Sequence, residues 1–86
     1  MMSPLPRIDW FRVLTDLDRR GYTLGIVGAT LSIPYSTLYA WRAGGEPRHQ
    51  EGEAIVGLWA RVTQRHGADV PRLLDRESMS AARARR

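Results

Sequence analysis

The sequence predicts an all-α protein, a bundle of five helices in one small domain. Three observations lead there. Apolar residues recur at i, i+3, i+4 and i+7 along most of the chain, the spacing of one helix face. Asp, Thr, Pro and Gly stand where such helices would start and stop. No stretch alternates apolar and polar residues as a half-buried strand would. The 86 residues suit one domain, and with no cysteine that domain rests on packing alone or on packing plus self-association.

Residues 1–8, with Pro4 and Pro6, are expected to form a flexible lead into a folded domain over 9–76. Asp9 is placed to cap a first helix whose inner face is Trp10, Val13, Leu14 and Leu17. Arg19 and Arg20 suit the negative end of its dipole, and Gly21 suits a left-handed stop. Thr23 opens a second helix over about 24–31, with Leu24, Val27 and Leu31 turned inward. Gly25 and Gly28 each cost this helix roughly 0.5–1 kcal/mol against alanine, a cost that usually marks a close approach. Gly28 faces the following helix; Gly25 has no such reason.

A short turn of Ser32, Ile33 and Pro34 follows, with Ile33 plugging the angle between helices. Proline is tolerated in a first turn, so a third helix is expected over about 35–43, stopped by Gly44 and Gly45. A longer helix over about 50–66 turns Ile55, Leu58, Trp59 and Val62 inward, and Gly67 is its expected stop. Asp69 is expected to cap a last short helix, with Pro71 in its first turn and Val70, Leu73 and Leu74 packing back. Residues 77–86 read as a disordered arginine-rich tail.

Net charge is +4, and all 13 basic residues are arginine. Arginine presents planar, paired donors that match phosphate and guanine. The positive balance favours a polyanion partner without establishing one. No run is long and apolar enough for a membrane span, and the first residues lack an apolar signal core. A cytoplasmic protein without a membrane partner is therefore expected.

Residues 23–45 are the most informative stretch: two short helices joined by a tight turn, a helix-turn-helix. With Leu38 at the origin of a helical wheel, Leu38 and Trp41 point inward, while Ser36, Tyr39, Ala40 and Ala43 point out. Tyr35 and Arg42 lie on one flank. A helix that enters a DNA major groove needs such an outer face of small or hydroxyl-bearing residues. The competing reading is an amphipathic helix in a plain bundle, but a solvated face would favour glutamate and lysine over tyrosine and serine.

The stretch resembles the phage Cro/cI-like repressors of the lambda-repressor-like fold. The likeness lies in Gly28, Leu31 and Ile33, then Ser36, Thr37 and Leu38, then Trp41 and Gly44. With the flanking helices it covers about residues 10–74. Two positions depart from the family pattern: Ser32 stands where glycine is usual, and Leu24 where a phosphate-touching glutamine is common. By matched position, Tyr35, Ser36, Tyr39 and Ala40 would face base edges. Thr23, with the amides of 23–25, and Arg42 and Arg48 would hold phosphates. The resemblance also implies a homodimer on a palindromic site, with half-sites about one helical turn apart.

Each residue has a plainer alternative. Tyr35 and Tyr39 could pack on the protein, Arg48 could be a solvated loop charge, and the tail arginines could simply aid solubility. His49 and His66 have no metal-ligand spacing, and no Ser, His or carboxylate set forms a catalytic constellation. The expectation is therefore a sequence-specific DNA-binding transcriptional regulator of phage or prophage type, not an enzyme, with no cofactor, metal or small-molecule substrate. The alternatives are the recognition subunit of a transposition or packaging complex, an antitoxin, or a protein-interaction adaptor on the same fold.

Overall fold

A computed structural model describes residues 7–73, which form four α-helices and one 3-10 turn. Helix α1 spans Trp10–Arg19, α2 Leu24–Leu31, α3 Tyr35–Arg42 and α4 His49–Thr63, and the 3-10 turn is Gly67–Asp69. The protein is thus all-α, and among the described residues no helix is long and apolar enough to cross a membrane.

The helix ends follow local chemistry. The Asp9 carboxylate accepts from the Arg12 amide at 3.2 Å, and the Thr23 hydroxyl oxygen accepts from the Ile26 amide at 3.3 Å. After α1 the chain closes a Schellman motif. The Tyr22 amide donates to the Leu17 carbonyl at 2.8 Å, the Gly21 amide donates to Asp18 at 3.0 Å, and Gly21 takes φ +91°. Gly44, at φ +130°, ends α3 in the same way, with the Gly45 amide donating to the Ala40 carbonyl at 2.9 Å. At the end of α2 this left-handed position falls to Ser32, with φ 59°.

Helix α1 packs against α3 and α4, α2 packs on α3, and the 3-10 turn rests on α4. Their shared core is Val13, Leu14 and Leu17 from α1, Leu24 and Val27 from α2, Leu38 and Trp41 from α3, and Ile55, Leu58 and Trp59 from α4, joined by Ile33 and Val70. Trp10, Leu31 and Val62 are only partly buried against it. The fully buried Trp59 still meets its polar requirement, because its indole N–H donates to the Asp16 carboxylate at 3.1 Å.

The end of the described chain differs from expectation. Helix α4 stops at Thr63, before Gly67, because Gln64 adopts the left-handed conformation (φ 57°) and the Arg65 amide closes back onto the Ala60 carbonyl. Among the described residues no fifth α-helix follows. Asp69 lies inside the 3-10 turn instead of capping a helix, and Val70 is extended at φ −59°, ψ 140°. The residue before a proline is pushed out of the helical region, and here that residue is Val70. Extension lets Val70 reach the core and brings Arg72 beside Ile8 in an isolated antiparallel bridge. The Asp9 amide donates to the Pro71 carbonyl at 2.9 Å, and the Leu73 amide to Arg7 at 2.7 Å. Arg7 and Ile8, expected in the lead, therefore take part in the fold. The remaining expectations for the lead, for Leu74 and for the tail lie outside the described residues.

A methyl group at Gly28 would sit 2.5 Å from the Ile33 carbonyl oxygen and 3.4 Å from Leu38. Gly28→Ala is expected to cost about 1–3 kcal/mol through overpacking. Ser32→Gly should do the opposite. Relief of left-handed strain, about 1–2 kcal/mol, outweighs the greater freedom of the unfolded chain and leaves a gain of about 0.5–1 kcal/mol. Urea denaturation of both variants checks the pair, and equal shifts of the same sign would contradict this account of the turn.

Candidate functional site

Helix α3 is amphipathic across its width. Leu38 and Trp41 are buried, whereas Tyr35, Ser36, Tyr39, Ala40 and Ala43 are exposed. This asymmetry comes from the turn before it. Ile33 is sunk in the core, and the Ile33 amide donates to the Gly28 carbonyl at 2.9 Å. The chain is thereby drawn against α2 before Pro34 starts the next helix at φ −59°, ψ 143°. Proline fixes that φ in advance, and its missing N–H would be unsatisfied at a helix start in any case.

The tyrosines are exposed and organised. Tyr35 is 58% and Tyr39 53% accessible, unusual values for large aromatic residues. Their rings stack with centroids 6.4 Å apart and planes 15° from parallel. The Arg42 guanidinium carbon lies 5.4 Å from the Tyr39 ring centroid. Residues i, i+4 and i+7 thus form a continuous row, ring on ring and cation on ring. Arg42 is half-buried. The i+4 and i+7 spacing of the row is visible in the sequence, but the stack itself was not anticipated.

The other expected site residues are spread more widely. Thr23 is exposed at the start of α2, its hydroxyl oxygen already accepting from the Ile26 amide. The hydroxyl proton is still available to an outside acceptor. Gly25 has open space around it, since a methyl group there would meet only the Thr23 hydroxyl oxygen at 4.0 Å. Arg48 is exposed at the N-cap of α4, beyond the Gly44–Gly45 stop and on the rim of a separate groove. That groove, about 550 Å³, runs past Trp10, Pro47, Gly52, Val56 and Val70. The structure therefore brings Tyr35, Ser36, Tyr39, Ala40 and Arg42 together on one helix and sets Arg48 apart, at the cap of α4.

Charge is uneven along the sequence. No carboxylate occurs between Asp18 and Glu46, and Arg19, Arg20 and Arg42 lie in that interval. Glu46, the first acid beyond it, is paired with Arg7 at 2.8 Å. The α2–α3 unit consequently presents nothing that would repel a polyanion. Ile26 on α2 and Phe11 on α1 are also exposed large apolar residues. Only their position off the core-facing spacing could have marked them.

No protein-family model, curated protein or solved structure matches the chain.

If the tyrosine row serves a ligand and not the fold, removing it should hardly affect stability. Tyr35→Ala and Tyr39→Ala are each expected to stay within about 1 kcal/mol of the parent. Trp41→Ala should cost about 3–5 kcal/mol. Thermal or urea unfolding distinguishes the two classes, and a loss at Tyr39 matching that at Trp41 would make the tyrosine a packing residue.

Proposed function

We propose that this protein is a sequence-specific, double-stranded-DNA-binding transcriptional regulator of phage or prophage type. It uses α2 and α3 as a helix-turn-helix and inserts α3 into the major groove. One observation carries this reading: α3 buries Leu38 and Trp41 while its opposite face, Tyr35, Ser36, Tyr39 and Ala40, stands clear of the described chain. A reading helix must be anchored on one side and bare on the other. The stretch of sequence that holds α2 and α3 carries no carboxylate, which favours a phosphate backbone.

The roles follow from position. Ser36, Tyr39 and Ala40, with Tyr35 at the leading end, meet base edges. The Thr23 hydroxyl and the first amides of α2 hold one phosphate, as helix N-termini do. Arg42 and Arg48 bind phosphates on either side of the groove. A module of this size contacts too little DNA for tight operator binding, so the active species is a homodimer with half-sites about one helical turn apart.

Selection of random duplexes on the purified protein should return one preferred, two-fold symmetric sequence. Joint replacement of Ser36 and Tyr39 by alanine should flatten that preference. Arg42→Ala or Arg48→Ala should weaken all duplexes alike and reduce the slope of log affinity against log salt by about one for each lost phosphate contact. Preference that survives the Ser36/Tyr39 replacement would refute the assignment of the reading face.

A further inference from the structure

The exposed face of α3 has an unusual chemistry for a reading helix. It holds no Asn, Gln, Asp, Glu or Lys. Its one guanidinium, on Arg42, lies over the Tyr39 ring. The side-chain polar atoms left on exposed residues are the hydroxyls of Tyr35, Ser36 and Tyr39, with the half-buried Thr37 hydroxyl at the edge. A hydroxyl both donates and accepts, so it pairs with any base edge and distinguishes none strongly. The rest of the face is carbon: two stacked ring systems and the Ala40 methyl group.

In the major groove only one base presents a methyl group, thymine at C5. We infer that α3 discriminates sequence chiefly by burying thymine methyl groups against the Tyr35–Tyr39 stack and Ala40, so that the preferred duplex is defined by where its 5-methyl groups lie. This rests on the DNA-binding reading above and names the feature of DNA that the site recognises. The stack supports it twice. Rings held at 6.4 Å and 15° form a pre-ordered carbon surface, so little side-chain freedom is lost on contact. Arg42, drawn onto Tyr39, lies at the flank where phosphates pass and is withdrawn from paired bonding to guanine.

The test replaces thymine by deoxyuridine throughout the duplex obtained by selection. All hydrogen-bonding groups are kept and only the methyl groups are lost. Burial of one methyl group corresponds to about a fourfold change in affinity, so loss of two or three contacts should weaken binding by more than tenfold. Restoring thymine one position at a time should recover the loss in steps. Tyr39→Ser, at an exposed position, should lower the thymine-to-uridine ratio. Equal binding of the uridine and thymine duplexes overturns this inference and leaves DNA recognition standing. A selection that returns no preferred duplex overturns both.

Discussion

The rest of the structure depends on a close approach between backbones. The Ile33 carbonyl oxygen comes so near Gly28 that no side chain fits between them. Leu38 fills the adjoining space, and the Ile33 amide bonds back to the Gly28 carbonyl. This contact sets the angle between α2 and α3. With the angle set, Leu38 and Trp41 must turn inward, and the opposite side of α3 is left outward. Gly28 lowers the helix propensity of α2. The local loss is what permits the tertiary arrangement.

Four helix ends use the left-handed conformation, at Gly21, Ser32, Gly44 and Gln64. Where glycine fills the position, the stop was legible in the sequence. At Gln64 it was not: the glycine three residues later looked like the better stop, yet α4 closes earlier. A Schellman closure needs a backbone geometry, and glycine only makes that geometry cheaper. Asp9 and Thr23 were legible as caps because their side chains do the capping, and the core of α1 to α3 was legible from spacing. The last segment was not legible, because Pro71 suits a helix start as well as an extended chain, and its steric effect on Val70 prevails.

The outward face of α3 was equally legible, since Leu38 and Trp41 define one side and the rest follows by rotation. What the wheel cannot convey is the interaction among residues on that face. Tyr35, Tyr39 and Arg42 lie on successive turns, but their alignment into a row depends on side-chain torsions that spacing does not encode. Asp16 is a similar case. As a sequence feature it is one of two acids within α1, and its role emerges only when α4 brings the Trp59 indole to it.

The Ile8–Arg72 bridge gives the fold one more property. The first and last described segments are hydrogen-bonded to each other, through Asp9 to Pro71 and Leu73 to Arg7. Ends of small helical proteins ordinarily fray one at a time, at little cost. Here neither segment can peel away without breaking the bonds of the other. Opening of the two segments is thereby coupled, and the amides of Asp9 and Leu73 should exchange with solvent together.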